Sequence, residues 1–574
     1  MFKLAMSAAA CAAVAGLSCV ASPSWSQVAV VAPATDFSRC DGYGVATAGG
    51  DGMTRYATSL GIFKLPESGN TMLGKASTSA EGVRACGSAI AQLPPGLWMR
   101  QVNLLRARAF HYLELRQPAE ALADLDSADA VAKGKTDLFY DRSLGLSIRF
   151  VRAYALRQLG DAAKADALAR ETAASRPFLR QGALLVYIAK GPGADMAQLD
   201  ELARDNTRLN PVGLDFQFQR TLGEGRLTDA LSLYPQLLPP TSYGVATDAQ
   251  SEQFRALAII YKESRALEYA YLLAALGRNA DARAALAQAK ADFAKAIESP
   301  PEPVGVDEPI TDRTKRMATI NMNLQINSAG REGFEIWGRL VDLRVKVSEG
   351  QVADVLASLA AKPLPVTWQS LELDEAIDKA APGQGRPSTA ATEATRARLI
   401  HTDDQDKNLA SMWKDLPEPE TADRLPLYRP GNAPLLAFNE AAKNNIRAQG
   451  EGYRSLPAAL PGATAVRYRI LRGTAAMAED LVLIRAAELA KQAGKSGFII
   501  LARHDVHFST TLYQYSRPVR TDPNGFETEI DVVFADPQSP PAPYDATPWR
   551  VVDANGVLAA LAPIYGSSTS PKTQ

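Results

Sequence analysis

Arg149–Pro177 reads RFVRAYALRQLGDAAKADALARETAASRP. Ala153, Leu156 and Leu159 recur at helical spacing, and Leu159-Gly160 then interrupts the pattern. Ala165 and Ala169 resume it, and Pro177 stops it. Apolar residues three and four apart share one helix face. Glycine supplies the left-handed residue that ends a helix. The stretch is therefore expected to form a helix, a tight turn and a second helix. Its alanines would let the two helices approach closely.

The same offsets recur on both sides. In LLRARAFHYLELRQPAEALADLDSADAVA (104–132), Ala109, Tyr112 and Leu115 precede Pro118, and Ala121, Leu125 and Ala128 follow it. In EYAYLLAALGRNADARAALAQAKADF (268–293), Ala270, Leu273, Leu276 and Gly277 precede Ala282, Leu286 and Ala289. A weaker copy surrounds Gly225, Ala230 and Tyr234, and a partial second helix around Cys86, Ala89 and Pro94 opens the series. One such hairpin cannot bury its apolar face alone, so several must stack.

This register resembles the tetratricopeptide repeat, in which a small residue, a bulky one and Leu-Gly at the turn precede a second helix marked by alanines. The copies here lack the signature Trp, and Ala121 and Ala165 are further apart than that family's period, so insertions separate the hairpins. The resemblance implies a right-handed superhelix whose groove is lined by the first helix of each pair. Carried over residue by residue, the groove would display Asn103, Arg106 and Phe110, then Ser147, Phe150, Tyr154 and Arg157, then Tyr271. Arg and aromatic side chains are good anchors for a protein or peptide partner. Packing of Phe110, Phe150 and Tyr154 between helices is the alternative for each. The Lys and Asn clamp that some members use for a peptide carboxylate is absent.

The first residues, MFKLAMSAAACAAVAGLSCVASPSWSQ, place Lys3 before an apolar run ending at Ala21, with Ser24 and Ser26 flanking Trp25. Residues 1–26 read as a secretory signal peptide. Cys11 and Cys19 lack the leucine three positions earlier that a bacterial lipoprotein signal prefers, so a soluble exported protein of the periplasm or cell envelope is expected. After cleavage Cys40 and Cys86 remain. In an oxidising compartment they can form one disulfide, against the alternative of two free thiols.

The whole chain has 574 residues, 46% of them hydrophobic, which is ample for several cores. Its 62 Lys and Arg against 63 Asp and Glu give no electrostatic reason to expect nucleic acid. No segment after the leader has the apolar length of a membrane span.

The division expected is a leader (1–26), an irregular segment (27–80), the helical array (81–298), further hairpins (310–380), a linker (381–430) and an α+β domain (431–574). The fold class is mainly α, a tetratricopeptide-like array with a small C-terminal α+β domain. In the last part VRYRILRG, GFIILAR, FSTTLYQYS and FETEIDVVFA read as strands, and AMAEDLVLIRAAELAKQAG as an amphipathic helix ending at Gly494. This would be one helix on an antiparallel sheet. The stretch 467–503 also resembles the core of a family of small bacterial envelope lipoproteins with no assigned activity. The resemblance rests on Arg472, Gly473, Arg485, Ala486, Ala487, Glu488, Leu489, Gly494 and Phe498. It implies an envelope location and no reaction.

Four histidines occur: His111, His401, His504 and His507. In ARHDVHF, Asp505 lies between His504 and His507, but residues three apart on a strand point to opposite faces, so no metal site is expected. No nucleophile elbow, phosphate loop, zincin or dinucleotide motif is present. No cofactor is expected. The leading expectation is an exported interaction scaffold with a protein or peptide partner. The alternatives are an enzyme of unrecognised class with its site near Arg503, His504 and Asp505, or a structural component of an envelope assembly.

Overall fold

The structure, a computed structural model, describes residues 35–46, 51–53, 55–59, 63–67, 79–190, 196–211, 213–237, 248–298, 310–383, 409, 412–422, 425, 452–458, 462–470, 473–514 and 517–566. The expected leader (1–26) with Cys11 and Cys19, most of residues 27–80 and of the expected linker (381–430), and His401 lie outside the described residues. The chain is mainly helical, with a small antiparallel five-stranded sheet near its C-terminus. Its described residues fall into two compact units, divided at Gly213/Leu214 and at Thr402/Asp403. The helical stretch 81–298 is thus shared between them.

In the first unit, α1 (Asp36–Asp41) and a hairpin of β1 (Arg55–Ser59) and β2 (Phe63–Glu67) precede α2 (Ser79–Ala91). Helices α3 (Trp98–Glu114) and α4 (Pro118–Ala132) form a hairpin, followed by the single turn α5 (Leu138–Arg142). Helices α6 (Leu144–Gln158) and α7 (Ala162–Ala174) form the next, and α8 (Gly182–Lys190) with α9 (Met196–Leu209) a third. In the second unit α10 (Gly213–Gly223, from Leu214 on) is followed by α11 (Leu227–Leu233). There α12 (Asp248–Ala275) pairs with α13 (Asn279–Ala296), and α14 (Ile310–Ser348) packs on α12. Helices α15 (Val352–Ala361) and α16 (Trp368–Ala380) complete it.

Five helix-to-helix turns share one hydrogen-bond pattern, which also ends a helix further along the chain, at Gly494 and Lys495. Gly160 N–H donates to Arg157 O, and Asp161 N–H to Leu156 O. Gly225/Arg226, Gly277/Arg278 and Gly350/Gln351 repeat both bonds, as do Arg116/Gln117. This is the Schellman termination, in which the first residue must be left-handed. The four glycines have φ of 71° to 89°, and Arg116 adopts the same region at 59°. Five residues after each left-handed residue stands Ala121, Ala165, Ala230, Ala282 or Val355, each fully buried. The turn fixes the re-entry angle of the second helix, and the small residue admits it against the first.

The C-terminal part of the first unit has β3 (Gly452–Pro457), β4 (Thr464–Ile470), α17 (Ala475–Gln492), β5 (Gly497–Gln514), β6 (Arg517–Ala535), β7 (Val552–Asp553) and α18 (Ala554–Gly566). The strand order is β3-β4-β6-β5-β7, all antiparallel. One helix lies on the sheet, as its sequence pattern implies: Met477, Leu481 and Ile484 of α17 share a core with Val466, Tyr468, Ile500, Ile530 and Val532. GFIILAR and FSTTLYQ form a single strand instead of two, because shifts in register between Ile500 and Ala502 and at Phe508 let it bend without ending. Strand β3, GYRSLP, has no counterpart in the expectations; it is a short edge strand closing on a proline. Among the described residues no helix is long and apolar enough to cross a membrane.

Candidate functional site

The face built by the first helices of the hairpins in the first unit is not open. It is covered from one side by α1 and from another by residues 412–422, with Leu409.

Thr35 caps α1 through its hydroxyl, and Gly42 closes it in the left-handed region. Cys40 is bonded to Cys86 of α2, 46 residues away in sequence. In the chain-entropy view, closing a loop of that length stabilises the fold by about 4 kcal/mol. The bond brings Asp41 onto α3. There Asn103 Nδ2 donates to Asp41 Oδ2 at 2.6 Å and Arg100 Nη2 to Asp41 Oδ1 at 2.9 Å. The Arg100 guanidinium is sandwiched between the Phe37 and Tyr43 rings, at 5.4 and 5.3 Å. His111 Nε2 reaches Cys40 O at 3.0 Å.

Residues 412–422 act as a strap. Leu409, Met412 and Leu416 are buried in the core of the first array. Residues 412–415 are helical, and 417–421 run without regular structure past Pro417 and Pro419, which hold the backbone extended. Trp413 packs on Phe110 with ring centroids 4.8 Å apart, and the Arg106 guanidinium lies 4.9 Å from the Trp413 ring. Ser147 Oγ donates to Pro417 O at 3.0 Å, and Glu420 N–H donates to Ser143 Oγ at 2.9 Å. Burial lowers the Arg106 pKa, while Tyr43, Asp41 and Glu418 oppose that shift.

The strap ends in a buried ionic cluster. Arg142 Nε is 3.1 Å from Glu420 Oε2, and Arg176 Nη1 is 3.1 Å from Glu420 Oε1. Arg176 Nη2 reaches Asp480 of α17 at 3.0 Å, and Arg142 pairs with the same carboxylate. Tyr565 Oη donates to Asp480 at 2.8 Å, and Thr474 Oγ1 to Glu420 Oε1 at 3.4 Å. Burial disfavours the Arg176 charge, but Glu420 and Asp480 outweigh it and raise its pKa. Two guanidiniums and two carboxylates balance, as a desolvated cluster requires. The cluster joins array, strap and sheet within one unit.

The residues expected to line an open groove are therefore placed as follows. Asn103 and Arg106 are buried under α1 and the strap, and Phe110 lies under Trp413. Phe150 and Tyr154 are fully buried between helices. Arg157 Nη1 donates to Ile188 O at 2.7 Å and its guanidinium sits 5.7 Å from the Tyr154 ring. Tyr271, in the second unit, is fully buried; its hydroxyl meets Gln369 O and Glu372 Oε2, both at 2.7 Å, and Arg344 Nε holds Glu372 at 3.0 Å. Six of these seven side chains are buried, and Arg157 is half-buried. A buried polar side chain needs partners, which Asn103 finds in Asp41 and Tyr271 in Gln369 and Glu372. Sequence reasoning missed the strap residues Trp413, Glu418 and Glu420 together with Ser143, Arg142 and Arg176.

Around Arg503, Arg503 Nη2 meets Glu479 Oε1 at 2.5 Å and Arg503 Nε meets Asp505 Oδ2 at 3.0 Å, with Thr528 Oγ1 donating to Asp505. Burial opposes the Asp505 charge, but Arg503 and Arg180 hold its pKa below the ordinary carboxylate value. His504 stands opposite Glu529 in the register, whereas Asp505 stands opposite Thr528, so the two point to opposite faces of the sheet. Burial, with Arg467 nearby, pushes the His504 pKa down to about 4 against the pull of Asp505. The His507 side chain lies outside the described residues. Arg503, Glu479 and Asp505 thus meet on one face of the sheet, and His504 lies on the other. No known family model, characterised protein or solved structure matches this chain.

Proposed function

We propose that this protein is an exported interaction scaffold of the cell envelope, built from tetratricopeptide-like hairpins and holding a protein or peptide partner. The observation that carries the reading is that five helix-to-helix turns of one geometry are each followed, five residues after the left-handed residue, by a buried alanine or, once, valine. A shared turn and a shared close contact are what a repeated helix-pair unit needs in order to stack. Helical stacking makes long, stiff faces suited to grasping an extended segment. The first helices engage one such segment through Phe110, Arg106 and Ser147, and the turns beside them add Ser143, Arg142 and Arg176. The leader at residues 1–26 and the Cys40–Cys86 disulfide favour an oxidising compartment.

The test is capture of partners from envelope extracts by the full-length protein, beside Leu125→Asp as an unfolded control. Leu125 is fully buried in the array core, so a buried charge there destroys it. A scaffold retains defined proteins that the control loses. Recovery of the same set by both would defeat the reading. So would export-tag experiments that leave the protein in the cytoplasm.

A further inference from the structure

We propose that the strap, residues 412–422, is an intramolecular ligand. It occupies a peptide-recognition groove whose outside partner is a segment of the same chemistry: an aromatic side chain among aliphatic ones, followed by a proline-spaced pair of carboxylates. The proposal rests on the scaffold reading and names the partner class of that same face.

Three features separate this contact from ordinary core packing. The first is the mode of grip. Trp413 is an aromatic anchor in contact with both the Phe110 ring and the Arg106 guanidinium. Anchors of this kind carry most of the affinity in peptide recognition. The second is capture of the backbone by side chains: Ser147 donates to Pro417 O, and Ser143 accepts from Glu420 N–H. Contacts to main-chain groups accept any sequence of the right shape, whereas core packing does not need them. The third is the treatment of the acidic end. Arg142 and Arg176 both grip Glu420, and Glu418 lies within electrostatic reach of Arg106. Each guanidinium places one nitrogen 3.1 Å from a different oxygen of Glu420, so the carboxylate is met by two positive charges.

The ligand itself is suited to the task. Pro417 and Pro419 fix an extended chain in advance, so little conformational entropy is lost on seating. Its covalent connection gives it a high effective concentration. An outside peptide of equal intrinsic affinity therefore gains access only when the strap is weakened or its own concentration is high. The groove is in this sense self-occupied, and release of the strap is the step that regulates it.

The experiment uses the full-length protein and a synthetic peptide with the sequence of residues 408–422. Binding is measured by calorimetry to the native chain, to Trp413→Ala and to Glu418→Lys. Trp413→Ala removes the anchor, and Glu418→Lys sets a like charge near Arg106 without removing core volume. The peptide should bind either variant at least tenfold more tightly than it binds the native chain. Peptides carrying Ala for the Trp, or Gln for both glutamates, should lose that gain. Two folded variants, judged by circular dichroism and an intact Cys40–Cys86 bond, that bind no better than the native chain would overturn the proposal. Equal binding of the altered peptides would overturn it as well. If one variant fails to fold, the other decides. The partner-capture test fails independently: peptide binding with no envelope partner would refute the scaffold role and leave the groove assignment standing.

Discussion

Replacing Glu420 by Gln isolates the electrostatics of the strap. The Glu420 side chain is fully buried, and those of Arg142 and Arg176 are 6% and 3% exposed. With Asp480 they make a neutral cluster of four charges. Glu420→Gln keeps the shape but leaves two buried guanidiniums sharing one carboxylate. Breaking a buried pair on one side costs about 3–5 kcal/mol, because the remaining charge stays desolvated. The reference is Asp126→Asn. Asp126 pairs with Arg152 at 2.6 Å, but its side chain is 70% exposed, so its loss should cost about 0–1 kcal/mol. Urea denaturation followed by circular dichroism reads the difference. With m near 3 kcal/mol/M, Glu420→Gln should lower the midpoint of the first unit by about 1–2 M, and Asp126→Asn by about 0.3 M or less. Midpoints that coincide for the two variants would refute the idea that the buried cluster ties strap to array.

Gly82 lies where an added Cβ would sit 2.5 Å from three atoms of the His111 ring. Gly82→Ala should therefore lower stability by about 1–3 kcal/mol, the cost of overpacking, although Ala is the better helix former by up to about 1 kcal/mol; an increase in melting temperature would contradict this. Arg116, the one non-glycine in the five shared turns, sits at φ 59°. Arg116→Gly should raise stability by about 0.5–1 kcal/mol in denaturant titration, since the left-handed region costs a side-chain-bearing residue about 1–2 kcal/mol. Glu263 on α12 faces α14 near Gly333, and burial pushes its pKa up to about 8 from 4.5. Its native state thus holds a proton that the unfolded chain releases, so its contribution to stability is fully present below pH 4.5 and is lost as pH rises through 8, with a ceiling of roughly 5 kcal/mol. Glu263→Gln should flatten that part of the stability–pH curve, and an unchanged slope between native and variant would show that Glu263 does not carry it.

The helical hairpins were legible because the left-handed turn and the close helix contact each demand a small set of residues. Gly160, Gly225, Gly277 and Gly350, with Ala165, Ala230, Ala282 and Val355, mark both in sequence. Arg116 hid the same turn behind a side chain, and Pro118 stood in for it as the punctuation. The sheet domain was legible through alternation and one amphipathic helix. Strand β5 reads as two strands because bulges interrupt the period of two without ending the pairing.

The site was legible only in part. Phe110, Tyr154 and Arg106, expected to line a groove, are buried, because what covers their helices comes from a segment far away in sequence. The strap carried a signal: Leu409, Met412, Trp413 and Leu416 are spaced as one helical stripe. The surrounding prolines and charges made the stretch look like a linker. Those same prolines and charges are what the groove grips. The compensating charges could not be foreseen, since Glu420 and Asp480 meet Arg142 and Arg176 only in the folded unit.

Hydrogen–deuterium exchange of the full-length protein, read on a proteolytic fragment covering residues 412–422, tests most directly whether the strap fills the array. Glu420 N–H is bonded to Ser143 Oγ, and Met412 and Leu416 are buried. The account predicts protection of this fragment comparable to that of α6, with Trp413→Ala and Glu420→Gln each speeding its exchange while α6 stays protected. Exchange of residues 412–422 at the rate of an unfolded chain in the native protein would contradict it.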